Sequence, residues 1–225
     1  MLLRRRHFSA ALLGAPALSA LVAPGAAIAQ GGPVEGRQYQ RMGQPLPTPP
    51  GKIEVIEFFW YGCPHCFVFD PTLEAWVKQL PADVAFRRVH VGFNAMVKLH
   101  QRLFFALEAL GVEAQVHAGI FNAFHVQRLS LTDEASITAM VTKLGVDPVK
   151  FKAAFNSFGV QTKAQAATKL SEDYRIDGVP TLAIGGRFVT SPSMAGTGIS
   201  GLNEETLGKN AISVAEYLVK LARKG

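Results

Sequence analysis

Cysteine is almost absent. The 225 residues hold only two, Cys63 and Cys66, in a single C-x-x-C. There is no second C-x-x-C, and none of the six histidines forms an H-x3–5-H pair. A zinc site, the other common use of C-x-x-C, therefore lacks an obvious second half. After residue 29 no apolar run is long enough to cross a bilayer. No basic cluster stands out either. Setting aside residues 1–29 removes three Arg and no acid, so the net charge falls from +6 to +3. The remaining basic residues are scattered, which gives no support to nucleic-acid binding. Internal repeats and low-complexity segments are missing. What is present is an apolar fraction of 48%, enough for one core, in one domain or one domain with an insertion.

The first residues read as a targeting segment. Arg4, Arg5 and Arg6 precede an apolar, small-residue run from Phe8 to Ile28, broken by Pro16 and Pro24. Ala27-Ile28-Ala29 supplies a small-x-small cleavage pattern. Residues 1–29 are read as a secretory signal, with Gln30 as the mature start. The alternative, a retained anchor, is weakened by the Ala, Gly and Pro in the run. Arg5-Arg6-His7-Phe8 resembles a twin-arginine signal, so either the Sec or the twin-arginine route fits.

An exported chain reaches a compartment where disulfides form. A purely structural bridge between Cys63 and Cys66 would close a loop of almost no length and restrain the unfolded chain very little. A redox role explains the spacing better. A thiolate attacks disulfides, so one cysteine should be exposed with a lowered pKa. Ile53–Phe59 reads as a buried strand, Gly62 ends it, and a helix is expected from Cys63 to about Gln79, with Pro64 in its first turn. Cys63 then sits where free N–H groups and the positive helix end favour a thiolate, and Cys66 faces inward. Cys63 is expected to take the attack and Cys66 to resolve it. His65, between them, can donate to the Cys63 thiolate or carry charge beside it. That stabilises the reduced form and makes the disulfide a stronger oxidant.

Residues 30–51 read as a Pro/Gly-rich arm with a short strand near Gln38–Arg41. Val84–Val91 reads as a second strand. Helical spacing follows over 95–110, 113–127, 132–144, 148–155 and 161–174. Strand signals return at Thr181–Ile184 and Arg187–Thr190 around Gly185-Gly186, before a last helix over Glu205–Ala222. Pro71 should kink the first helix. The order predicts an α/β domain interrupted by an all-helical insertion: residues 30–93, insertion 94–160, then 161–225. Gly178-Val179-Pro180-Thr181 precedes the late strand, where a proline can be cis.

Taken together, the strand, Cys63-Pro64-His65-Cys66, the helical block and Val179-Pro180 resemble the DsbA family of periplasmic thiol:disulfide oxidases, which have a thioredoxin fold. Glu57-Phe58-Phe59, Val89-His90-Val91, Phe155-Asn156-Ser157 and Gly185-Gly186-Arg187 match as well. Pro71 and Trp60-Tyr61 are departures that bear on the peptide groove. The resemblance implies a thioredoxin fold with a helical insertion, and a monomer that donates the Cys63–Cys66 disulfide to reduced, unfolded secreted proteins. It also implies a cis Val179-Pro180 turn against the disulfide, with the Val179 backbone pairing with substrate like an added strand. Reoxidation would fall to a DsbB-like membrane quinone reductase. No cofactor beyond the redox disulfide and no metal is expected.

Glu57, in an apolar strand, is read as a buried carboxylate relaying the Cys66 proton, with Arg88 as its partner; the alternative is an exposed strand-edge Glu. Trp60, Tyr61 and Phe67 are either a docking face for substrate or core. His90, His100, His117 and His125 are read as structural or surface residues, and Phe104, Phe105, Phe121 and Phe124 as core of the insertion. Three rivals remain. An isomerase would usually carry a dimerising domain before the motif, for which residues 30–62 are too short. A non-catalytic peptide-binding module would not need both cysteines. Glutathione-dependent relatives commonly lack the second cysteine.

Overall fold

The computed structural model describes residues 32–224, so the signal expected over residues 1–29 lies outside them. The chain runs β1 (Gln40–Arg41), β2 (Ile53–Phe59), α1 (Pro64–Val77) and β3 (Val84–His90), then five helices. These are α2 (Ala95–Ala109), α3 (Glu113–His125), α4 (Glu134–Lys143), α5 (Pro148–Phe155) and α6 (Phe158–Asp173). β4 (Thr181–Ile184), β5 (Phe188–Thr190), a short α7 (Pro192–Ala195) and α8 (Glu204–Ala222) complete it. The expected strand–helix–strand, helical block, hairpin and terminal helix are all there. α6 starts at Phe158, three residues before the expected start, because the Ser157 hydroxyl caps it by accepting from Val160 N–H. The expected domain boundary at residue 160 therefore falls inside one continuous helix. α7 was not anticipated.

The sheet order is β1-β5-β4-β2-β3. β2 and β3 pair in parallel across the α1 crossover, and the other neighbours are antiparallel. β2 is an interior strand, buried along almost its whole length, which is why it reads as an apolar run rather than an alternation. Its faces still differ. Val55 packs with Phe69, Leu73 and Trp76 of α1, with Leu182 and Ile184, and with the α8 residues Val214 and Leu218. Ile56 and Phe58 face the other way, toward Tyr174 after α6 and the helical block. The strand's period of two therefore puts Glu57 on the Val55 face, under α1.

Side-chain caps start most of the helices. Asn94, Asp133, Asp147, Ser157 and Asn203 each accept from an amide of the turn they begin. Such caps contribute about 1 kcal/mol apiece. α1 is different: Cys63 occupies its N-cap position with extended backbone and makes no capping bond through its side chain. α1 also runs through Pro71 as one helix, although that proline removes the amide that the Phe67 carbonyl would otherwise accept. Its buried face is Cys66, Phe69, Leu73 and Trp76. Val77 and Leu80 are only partly buried. At the β4–β5 turn Gly185 and Gly186 have φ of 59° and 66°, and a Cβ on Gly186 would strike the Leu46 carbonyl.

Candidate active site

Cys63 lies where β2 hands over to α1. Its amide donates to the Trp60 carbonyl at 2.9 Å, closing a tight turn through Tyr61-Gly62. Gly62 is required there, because a Cβ would run into the Trp60 indole. Both cysteines are free thiols in this structure. The sequence led us to expect an exposed Cys63, and this is corrected: the residue is only 6% exposed, and Cys66 is 0% exposed. The reason is tertiary. The loop before β4 closes over the sulfur, and Cys63 Sγ donates to the Val179 carbonyl at 3.4 Å. The Val179-Pro180 peptide is cis.

The two thiols are unequal. Cys63 is lowered to about 6, first by a hydrogen bond from Cys66, against the opposing effect of burial. The amides of Cys66 and His65 and the His65 imidazole add smaller contributions in the same direction. Cys66 is pushed well above the ordinary thiol range, by burial first and then by its hydrogen bond to Cys63. A helix start with unused amides thus supports one thiolate, and the apolar interior disfavours the other.

Of the two roles read for His65, the ring makes no hydrogen bond to Cys63 and acts on it through charge. Its imidazole is exposed, and Nδ1 lies 2.9 Å from Glu204 Oε1 in the first turn of α8. The ring is held by a carboxylate rather than by the Cys63 sulfur, leaving its backbone amide and its charge to act on the thiol. Sequence reasoning missed Glu204: it lies 139 residues from His65, at the start of a helix read only as core packing.

Glu57 is 1% exposed, which removes the strand-edge alternative. Parallel register sets it beside Arg88, whose Nε donates to Glu57 Oε2 at 2.8 Å. Arg88 Nη2 also donates to Asp70 at 3.0 Å and to Glu74 at 2.8 Å, both on α1. Burial raises Glu57 to about 7, against the pull of Arg88. The Glu57 charge also raises Cys66, which links the two titrations.

The three aromatics separate. Tyr61 is 0% exposed and donates from its hydroxyl to Glu113 Oε1 at 2.6 Å, so of its two readings, docking face or core, it takes the core and leaves the substrate-facing set. A phenol that reaches a buried carboxylate is worth more inside than on the surface. Trp60 is part-buried; its Nε1 donates to His100 Nδ1 at 3.0 Å, and His100 Nε2 donates on to the Leu131 carbonyl at 2.7 Å. Phe67, half-buried, stacks on His125 at 4.8 Å between ring centroids. His125 Nε2 in turn donates to the Tyr61 carbonyl at 2.7 Å. His90, fully buried, is pushed down to about 3 by burial, so its ring is neutral. These histidines are structural, as read. Phe104, Phe105 and Phe121 are buried in the insertion and Phe124 is partly so.

A cleft of about 1010 Å³ opens beside the motif. His65, Val179 and Pro180 form one wall, and Met42, Tyr174 and Glu204 lie around it.

This geometry has close counterparts. A family model described as a DSBA-like thioredoxin domain matches residues 54–196. The thiol:disulfide interchange protein DsbA of Burkholderia cepacia is 46% identical over 164 residues, 72% of this chain and 77% of that protein. The protein of the same name from Bordetella parapertussis is 41% identical over 216 residues, 95% of this chain and 96% of that one. A crystal structure of Pseudomonas aeruginosa DsbA superposes with a TM-score of 0.77 at 35% identity, covering 84% of this chain and 94% of that chain.

Proposed function

The chain belongs to the DsbA family, with its thioredoxin fold and helical insertion, and from that premise we propose a role for each residue of the site. It is a thiol:disulfide oxidoreductase of disulfide bond formation. Cys63 is the sulfur that substrate attacks, and Cys66 is the buried partner. In the oxidised protein a substrate thiolate attacks Cys63 Sγ. The Cys63–Cys66 bond breaks, a substrate–Cys63 bond forms, and Cys66 leaves with the electron pair. Because burial disfavours its thiolate, Cys66 must then take up a proton.

Glu57 is the group we assign to that proton. It is buried, it titrates near 7, and its charge is coupled to that of Cys66. A second substrate thiolate then attacks the substrate sulfur of the mixed disulfide, and Cys63 departs as the stabilised thiolate. Two substrate thiols are oxidised to one disulfide, and the protein's disulfide is reduced to two thiols. The observation that carries this reading is the asymmetry of the pair, one sulfur at a helix start and the other in the core. It favours the reduced state and so favours donation over reduction.

Pro64 fixes the first turn beneath Cys63, and Pro180 with Val179 forms the wall against which substrate lies. The Val179 backbone would pair with an extended substrate peptide, with side chains entering the adjoining cleft. Trp60 and Phe67, both part-exposed, fit the rim of that approach, while Tyr61 belongs to the interior. The substrates are reduced, unfolded exported proteins, the compartment is the periplasm, and a DsbB-like membrane quinone reductase restores the disulfide. No cofactor other than the Cys63–Cys66 disulfide enters this scheme.

The test is oxidation of a reduced two-cysteine peptide by stoichiometric oxidised protein. Wild type should yield peptide disulfide, Cys63→Ala should yield none, and Cys66→Ala, supplied as a mixed disulfide, should release oxidised peptide. Efficient insulin reduction with negligible peptide oxidation would point to a reductase instead.

A further inference from the structure

One buried titratable cluster is not used by the chemistry above. On α3, His117 Nδ1 lies 2.6 Å from Glu113 Oε1, and Nε2 lies 3.0 Å from Asp70 Oδ1 on α1. Both ring nitrogens therefore face carboxylate oxygens, which accept and cannot donate when ionised. Nδ1 also lies 3.1 Å from the Tyr61 hydroxyl, whose own proton goes to Glu113 Oε1 at 2.6 Å, so the ring that fits this pocket carries two protons and a positive charge. His117 is 5% exposed, and the Phe59, Phe121 and Tyr61 rings surround it at centroid separations of 5.8, 5.1 and 5.3 Å. A charge in such a place persists only when it is paired.

The pairing runs toward the thiols. Asp70 bridges His117 and Arg88, and Arg88 bridges Asp70 and Glu57. A continuous, largely buried chain thus connects Glu113, His117, Asp70, Arg88 and Glu57, beginning in the helical insertion and ending at the carboxylate coupled to Cys66. The groups around His117 are Glu113 on its own helix, Asp70 on α1, Tyr61 before α1 and, joined through Arg88 of β3, Glu57 on β2 and Glu74 on α1. Four of these are carboxylates. Without His117, Arg88 would be the only cation among them.

We infer that His117 is a positioning residue for the thiol chemistry: its buried imidazolium, clamped by Asp70 and Glu113, offsets carboxylate charge so that Glu57 can both take and return the Cys66 proton near neutral pH. This rests on the Glu57 relay proposed above. The electrostatic direction agrees. Burial opposes the imidazolium, but the hydrogen bonds to Asp70 and Glu113 lift His117 to about 9. The His117 charge in turn acts to lower Glu57. With His117 uncharged, Asp70 and Glu113 would hold Glu57 protonated to higher pH, and it would accept the proton more slowly.

Three measurements test this. In wild type, ring-nitrogen NMR should find His117 doubly protonated at pH 7 in the oxidised and the reduced protein; a neutral ring would overturn the inference. In His117→Gln, carboxyl-carbon NMR should show the Glu57 midpoint raised by about one pH unit, a size usual for loss of a nearby opposite charge. Reoxidation of the reduced protein by glutathione disulfide at pH 7, the direction in which Cys66 must give up its proton to Glu57, should slow about fivefold, and adding the same substitution to Glu57→Gln should cost little more. A destabilised but unshifted Glu57 titration would mean that His117 is structural only, and the inference would fail. If Glu57→Gln alone leaves the rate unchanged, the relay fails, and the Glu57 midpoint in His117→Gln still decides whether His117 sets that charge.

Discussion

Arg88 and Glu57 stand opposite one another in parallel strands, and Arg88 Nε donates to the Glu57 carboxylate at 2.8 Å. The same guanidinium serves Asp70 and Glu74, so one cation holds three carboxylates beneath the redox motif. Arg88→Met leaves Glu57 and Glu74 without their cation and Asp70 with His117 alone. Breaking a buried pair this way costs about 3–5 kcal/mol, and the thermal midpoint at pH 7 should drop accordingly. Glu57 has its folded-state pKa raised from the ordinary 4.5 to about 7, so protonation favours the folded state. Its penalty therefore grows as pH rises from about 4.5 to about 7. The Arg88→Met loss should be smaller at pH 5 than at pH 8, measured by denaturant unfolding. An equal loss at both would contradict the pairing.

The pH dependence of the potential follows from the unequal thiols. Reduction below the Cys63 pKa takes up two protons, and above it only one, because Cys66 still binds its own. The potential should therefore fall by about 59 mV per pH unit at low pH and about 30 mV above the break. The break belongs near 6. Stability carries the same signature: the lowered Cys63 pKa stabilises reduced protein fully above the unfolded thiol value of 9.0, and this is lost as pH falls through about 6. Thiolate absorbance of reduced protein gives the midpoint independently.

His65 and Glu204 separate two contributions. His65→Ala removes the imidazole charge beside Cys63 and should lower the potential by about 30 mV, a tenfold change in the exchange constant. Its backbone amide is retained, which limits the effect. Glu204→Gln breaks only an exposed pair, worth about 0–1 kcal/mol, and should move the potential by less than about 10 mV. Glutathione equilibria of the two variants check both values. A larger shift from Glu204 than from His65 would mean that the carboxylate, not the ring, governs the thiol.

Gly62→Ala probes the turn that delivers Cys63. The added methyl meets the Trp60 indole, which His100 holds by a hydrogen bond. Overpacking of this kind costs about 1–3 kcal/mol. The thermal midpoint should fall and the Trp60 emission should change. An unchanged indole spectrum would show that the turn yields elsewhere.

Much of this site is local and was therefore legible. Pro64 after Cys63 marked the helix start, and the apolar run around Glu57 allowed a buried carboxylate; that Glu57 is buried and that Val179-Pro180 faces the thiols were implied by the family resemblance. Arg88 was named as the partner of Glu57 from its place one strand over. The rest joins residues without a periodic relation. His65 meets Glu204, Tyr61 meets Glu113 and His117 meets Asp70 only because three helices converge on one end of the sheet. The burial of Cys63 has the same origin: Val179, 116 residues away, covers it. The choice between docking face and core stayed open for Tyr61 because nothing local announces a carboxylate for its hydroxyl.

The central claim is that Cys63–Cys66 donates its disulfide, and the reduction potential tests it most directly. Equilibrated with glutathione at pH 7, the couple should lie above about −180 mV, more oxidising than a secretory glutathione pool. A value near −270 mV, that of a cytosolic thioredoxin, would contradict the account and make the protein a reductant.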